Sequence, residues 1–208
     1  MTQAQRIVKR AIDLTGSAVG LVVLSPLLLL IAIVVRLGSP GPVFHIDERL
    51  GRYGRRFRLI KFRSMHVGSA PRFNNDGSMR VEEKDPRVTG IGRFLRLGFD
   101  ELPQLWNVLV GEMSLVGPRP DPIWALERYA PGDEVRMQLR PGITGLAQVL
   151  GRTNIPWRDR LEIDRRYVRD CSLALDLRVI FLTLFELIPP LRALRGAGRP
   201  PDVPSPRP

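Results

Sequence analysis

Residues 11–35 read AIDLTGSAVGLVVLSPLLLLIAIVV, an almost wholly apolar run interrupted by Asp13, Thr15, Ser17 and the pair Ser25-Pro26. As a helix the run would be roughly 37 Å long, enough to cross a bilayer core. Its length, and the lack of a small-x-small site after it, argue against a cleaved signal peptide. A buried helix of a soluble protein is the bland alternative. Arg6, Lys9 and Arg10 precede the run, and Arg36, Arg49, Arg52, Arg55 and Arg56 follow it. Positive charge marks the cytoplasmic flank of a membrane helix, and here both flanks carry it. Pro26 removes one helical hydrogen bond and bends the axis, while Ser25 can satisfy a carbonyl freed at such a point. Two topologies stay open: a straight span, or a re-entrant helix-break-helix that enters and leaves on the cytoplasmic face.

The rest of the 208 residues leaves room for one ordinary domain. A net charge of +11 points to anionic partners: nucleic acid, a phospholipid surface or phosphorylated small molecules. The basic residues are nearly all Arg, with lysine only at Lys9, Lys61 and Lys84. One cysteine, Cys171, excludes an intrachain disulfide framework and a Cys-rich metal site. Two histidines, His45 and His66, argue against a His-based zinc site.

Beyond the turn-rich Gly38-Ser39-Pro40-Gly41-Pro42, residues 43–63 predict two short strands joined at Arg52-Tyr53-Gly54. Seven of the fifteen residues from Arg49 to Arg63 are Arg or Lys. They make either a basic face resting on anionic headgroups or a phosphate site. Lys61 is the more suggestive position, a compact charge suited to phosphate. Residues 66–86 are polar and punctuated by Gly and Pro, as in a mobile loop or lid. Residues 124–139 predict helix, 148–152 a short strand, Arg158 to Arg169 a charged helix containing Asp164, and Leu173 to Ile188 an amphipathic helix at the membrane surface. The tail 189–208 holds seven prolines and predicts disorder.

At the centre stands Leu97-Gly98-Phe99-Asp100-Glu101-Leu102-Pro103-Gln104, where a helix is expected to begin near Asp100 with Pro103 in its first turn. Asp100 can then be an N-cap that accepts bonds from the orphan amides. The same position suits a nucleophile, because a helix N-terminus favours the ionised carboxylate and admits phosphate. The adjacent Glu101 can hold a divalent cation that the phosphates would share. In Val116-Gly117-Pro118-Arg119-Pro120-Asp121-Pro122, three prolines fix the backbone around Arg119. That is a structural connection or a rigid mount for a phosphate-binding Arg.

Taken in order, the motifs resemble a known family. They are Arg10-x-x-Asp13, Ser25-Pro26, Lys61-Phe62-Arg63-Ser64-Met65, Asp100 to Leu105, Val116 to Pro120, Arg140 to Gly145, Gln148, Gly151-Arg152 and Asp164-x-x-Tyr167. The set is similar to the bacterial sugar transferases, the monotopic phosphoglycosyl transferases that start glycoconjugate assembly on polyprenol phosphate. The likeness covers about residues 6 to 188 and suggests a minimal catalytic form. It implies an α+β fold: a re-entrant anchor over 1–37 broken at Ser25-Pro26, a small mixed catalytic body over 38–188 with short strands and amphipathic membrane-surface helices, and the tail 189–208.

The resemblance also implies the chemistry. Asp100 would attack the sugar-bearing phosphate of a UDP-sugar, releasing UMP, and the phosphosugar would pass to polyprenol phosphate. Glu101 would ligate Mg2+. Arg119, Lys61 and Arg152 would bind phosphate, with Arg63, Arg140 and Asp164 in support. The expected setting is the cytoplasmic face of the bacterial cytoplasmic membrane, against inner-membrane phospholipid, with a homo-oligomer left open and no nucleic acid. Asp47 stands where the family often has Gln, and Gly98 where Ser or Thr is usual. The rival classes are a membrane-tethered, Arg-rich nucleic-acid-binding protein and a scaffold. Either would account for the charge, but not for paired acids beside a proline-caged arginine.

Overall fold

The apolar run folds as α1 (Gln3–Gly38), opened by a reciprocal cap. Thr2 Oγ1 accepts from the Gln5 amide, and the Gln5 side chain accepts from the Thr2 amide. This computed structural model describes residues 1–70, 72, 85–151 and 155–187. The expected division into helix, break and helix is corrected: Pro26 lies within one continuous helix. Proline at 26 cannot donate to the carbonyl of Val22 four residues earlier. Ser25 Oγ donates to that carbonyl instead, at 2.7 Å, so the lost bond is replaced on the spot. By length and composition α1 is apolar enough to cross a membrane. One face of its middle points away from the protein, with Val22, Val23, Leu29 and Leu30 all exposed, while Leu27 and Leu28 on another face pack against the body.

Both ends of α1 are bonded to the body. Near its start, Lys9 donates to the Val116 carbonyl and to Asp176, and Arg10 to the carbonyls of Val108 and Leu109. Buried Asp13 accepts from the Ser114 hydroxyl and the Leu115 amide, both at 2.9 Å. Near its end, Ile31 and Val35 pack against Phe62 and Leu95. There the buried Arg63 donates to the carbonyls of Val35, Ser39 and Pro40.

The two expected strands form an antiparallel hairpin, β1 (Phe44–Leu50) and β2 (Arg56–Phe62), around the turn at Arg52–Gly54. Its register pairs His45 with Lys61, Asp47 with Leu59 and Arg49 with Phe57. Directly opposed residues share a face, so His45, Asp47, Arg49 and Lys61 stand together. A second pair, β3 (Ser114–Val116) and β4 (Gly142–Thr144), is parallel. Its strands approach so closely that a Cβ on Gly142 would lie 2.1 Å from the Gly117 nitrogen, which excludes any larger residue there.

Helices fill the remaining space: α2 (Gly90–Leu95), α3 (Gln104–Val110), α4 (Leu146–Gly151), α5 (Trp157–Asp170) and α6 (Leu173–Leu187). The strand expected over 148–152 is corrected to α4, where Leu-Ala-Gln-Val-Leu follows helical rather than alternating geometry. The helix expected over 124–139 is corrected to two short 3-10 turns, Ile123–Arg128 and Asp133–Gln138. Pro131 and Gly132, the latter at φ +94°, interrupt the helical path between them. On α6, Leu177, Phe181 and Leu184 are exposed, while Asp176 turns inward to Lys9 and Tyr167. Arg152, the tail 189–208 and most of the 66–86 loop lie outside the described residues.

One buried amide sets α3 against the hairpin. Asn107 Nδ2 donates to the Arg58 carbonyl at 2.8 Å and to Glu112 at 2.7 Å, and Asn107 Oδ1 accepts from the Ile60 amide at 3.1 Å. Asn107→Ala should leave the Ile60 amide and Arg58 carbonyl unpaired at a cost of about 2 kcal/mol. Thermal unfolding in detergent should then show Tm lower by about 4–8 °C. An unchanged Tm would mean that these bonds do not hold the two elements together.

Candidate functional site

Gly98, at φ +124°, swings the chain out of α2 into the single 3-10 turn Phe99–Glu101 that displays both acids. That backbone conformation disfavours any Cβ, which accounts for glycine at this position. Phe99 stacks on Phe94 with ring centroids 4.8 Å apart and pins the turn. The expected N-cap role of Asp100 is corrected. Helix α3 starts only at Gln104, after Pro103, and has no side-chain cap. Among the described residues the Asp100 carboxylate accepts no hydrogen bond.

Without capping amides, burial decides the charge of Asp100. Desolvation, and then the neighbouring Glu101 carboxylate, push its pKa up to about 6, while Lys61, Arg119 and Arg96 pull the other way. Glu101 behaves oppositely. Burial would raise it as well, but the guanidinium of Arg119, donating Nη2 to Oε1 at 2.6 Å, holds its carboxyl below the usual range. Two adjacent acids are thus driven apart, one poised near neutrality and one firmly ionised.

Lys61 projects from the shared face of the hairpin. Burial first, then Arg49 and Arg119, push its pKa down, and Asp100 and Asp47 oppose them. Arg49 on the same face pairs with Asp47 at 2.5 Å and donates to the Pro120 carbonyl at 3.4 Å. Lys61, Asp100, Glu101 and Arg119 therefore act on one another at a single place, with Arg49 and Arg96 around them.

The other expected residues stand elsewhere. Arg63 closes the end of α1. Arg140 donates to the Gly111 carbonyl at 2.8 Å, behind α3. Asp164 is buried on α5, ion-paired to Arg136 at 2.6 Å, behind the loop that carries Arg119. Arg136 also pairs with Asp121, and Arg160 reaches Asp121 at 3.0 Å. Sequence reading took Arg49 only as one member of the Arg49–Arg63 basic cluster and assigned no function to Arg96 or Arg136. Strand parity with Lys61 is a signal for Arg49; Arg136 carries none in its local sequence.

Among the described residues no group of three or more His, Cys, Asp and Glu side chains could hold a metal. Asp100 and Glu101 remain, which fits Mg2+, an ion that keeps several waters and binds through one or two carboxylates plus substrate phosphates. A half-buried acid, raised by desolvation and beside another acid, is also a place where added positive charge is favourable. The arrangement combines a free carboxylate able to attack an electrophile with cations placed to receive an anion.

Residues 4–189 match the family described as bacterial sugar transferase. An undecaprenyl-phosphate glucose phosphotransferase of Komagataeibacter xylinus is 44% identical over 192 residues, covering 85% of this chain and 35% of the relative. A UDP-glucose:undecaprenyl-phosphate glucose-1-phosphate transferase of Escherichia coli K12 is 39% identical over 200 residues, covering 89% of this chain and 41% of the relative. The chain thus spans about two fifths of the length of such relatives. The exopolysaccharide production protein ExoY of Rhizobium meliloti is nearer in size, 39% identical over 188 residues, with 85% of this chain and 83% of the relative covered. With the family match running over residues 4–189 and relatives about 40% identical, the chain belongs to the bacterial sugar transferase family.

Proposed function

We propose that this protein transfers a sugar 1-phosphate from a UDP-sugar to polyprenol phosphate, releasing UMP, as a first membrane step of exopolysaccharide or related glycoconjugate assembly. The observation that carries this reading is Asp100, a carboxylate that accepts no hydrogen bond among the described residues and that lies within the electrostatic reach of Lys61 and Arg119. The relatives' names, which specify UDP-glucose, undecaprenyl phosphate and exopolysaccharide, support the substrate class.

In the first half-reaction an Asp100 carboxylate oxygen attacks the sugar-bearing phosphorus. The bond from that phosphorus to the bridging oxygen breaks, and UMP leaves with the electron pair. In the second, a phosphate oxygen of the polyprenol phosphate attacks the same phosphorus and displaces Asp100. The products are polyprenol diphosphate sugar and the free carboxylate. Lys61 and Arg119 offset the charge on the phosphates, and Arg119 is oriented by Glu101. Glu101, with Asp100 beside it, would hold Mg2+, which supplies further positive charge to the phosphates when bound.

A membrane-embedded acceptor phosphate lies at the bilayer surface, so the site must lie there too. The bonds from both ends of α1 to one body support a re-entrant topology on the cytoplasmic face. A straight span would separate Lys9 and Arg10 from Arg63 by the full hydrocarbon thickness. The positive charge on both flanks favours the same topology.

Purified protein with Mg2+, polyprenol phosphate and a UDP-sugar panel should release UMP with at least one sugar, and chelation should stop it. Asp100→Asn should abolish release, and wild-type protein without acceptor should gain the mass of a phosphosugar. Full activity in Asp100→Asn would sink the mechanism. The attacking form of Asp100 is the anion, so first-half-reaction rates should fall as pH drops through about 6. Lys61 favours that anion, so Lys61→Gln should move the acid limb to higher pH. An acid limb that stays in place would mean that another group titrates. Single cysteines introduced at Gln3 and His45, with Cys171→Ser, should both be labelled only from the cytoplasmic side. Labelling from opposite sides would establish a span.

A further inference from the structure

Pro118 and Pro120 have no N–H, so the loop that presents Arg119 can be held chiefly through its carbonyls. Four successive carbonyls are taken: Pro118 by the Gly142 amide at 2.9 Å, Arg119 by Arg136 Nη2 at 2.7 Å, Pro120 by Arg49 Nη1 at 3.4 Å and Asp121 by the Leu50 amide at 2.9 Å. The two outer grips are backbone amides already fixed by β4 and β1. The inner two are guanidinium groups, and the shorter of them lies on residue 119 itself.

Arg136 is itself anchored on all sides. Its side chain is 3% exposed. Nη1 donates to the Asp121 carboxylate and to the Tyr129 hydroxyl, while Nη2 and Nε donate to Asp164 at 2.6 and 3.1 Å. Arg160 binds the second oxygen of Asp121 at 3.0 Å. A planar fork can serve these partners together, and a point charge cannot. The Arg119 side chain differs sharply, being 43% exposed with one hydrogen bond among the described residues, to Glu101. Such a long, solvated side chain does not set its own direction. Its peptide does.

We propose that Arg136 is a positioning residue for the transfer site. From its anchor on Asp121 and Asp164 it fixes the Arg119 peptide, and through it the Arg119–Glu101 pair. Arg136 itself touches no substrate. The catalytic consequence rests on the activity proposed above, whereas the anchoring does not.

A double-mutant cycle tests this. Arg136→Lys keeps the charge but loses the fork, and a small misplacement of Arg119 should lower kcat/KM for the UDP-sugar about 10- to 100-fold. In an Arg119→Ala background the same change should cost less than about twofold, because the group being positioned is gone. An Arg136 that merely stabilises the fold would cost the same factor in both backgrounds, which would overturn the proposal. Asp164→Asn, which keeps the shape and one acceptor oxygen, is run through the same cycle as a milder disturbance of the buried charges. All variants are assayed below their own Tm.

Hydrogen exchange supplies a readout independent of turnover. The Leu50 and Gly142 amides, which grip the same loop, should exchange faster in Arg136→Lys while Ile60 stays unchanged. Equal exchange at Leu50 and Gly142 would overturn the anchoring. Wild-type protein that releases no UMP would overturn the activity instead, with exchange still deciding the anchor.

Discussion

The Asp13 carboxylate, sunk in an apolar helix and accepting from both Ser114 and Leu115, is the contact on which the architecture turns. A buried charge is costly unless its oxygens are satisfied, so Asp13 can lie in α1 only where β3 meets it. The two sheets have two strands each, too little ladder to organise a body of this size. Side-chain bonds to backbone take over that task. Arg10 and Arg140 both supply donors to carbonyls at the end of α3, and Lys9 joins β3 to α6. The long apolar helix α1 is therefore a structural member of the body rather than an appendage.

Much of this was legible in the sequence, and the failures have physical causes. The hairpin followed from interleaved apolar and basic residues around Arg52-Tyr53-Gly54, and α5 and α6 from their charged and apolar patterns. Gln148 to Gly151 was misread because a short apolar run has no decisive period. The cap at Asp100 was misread because Pro103, not the acid, stands before α3. Asp100, Glu101, Lys61 and Arg119 could be singled out by type and setting. Arg136 could not, since its partners Asp121 and Asp164 lie 15 and 28 positions away. Long-range pairing leaves no local trace.

The site separates its two acids by environment alone. Asp100 has burial and a like charge against it, and Glu101 has a guanidinium in contact. A residue that attacks and later leaves, the role proposed for Asp100, benefits from being neither strongly held by a cation nor strongly basic. The same cations that temper Asp100 are those an incoming diphosphate would meet, so binding and nucleophile ionisation draw on one set of charges.

The carbonyls of the Arg119 loop have a consequence beyond geometry. Bare carbonyl oxygens around the proposed phosphate site would repel the anion that Arg119 is proposed to bind. Here each one from Pro118 to Asp121 already accepts a donor, so its lone-pair field is largely spent inward. The alternating prolines remove amide donors that could have bound phosphate without regard to position. What this loop contributes to the site is the Arg119 guanidinium, paired with Glu101 and without competing carbonyl acceptors on its own backbone.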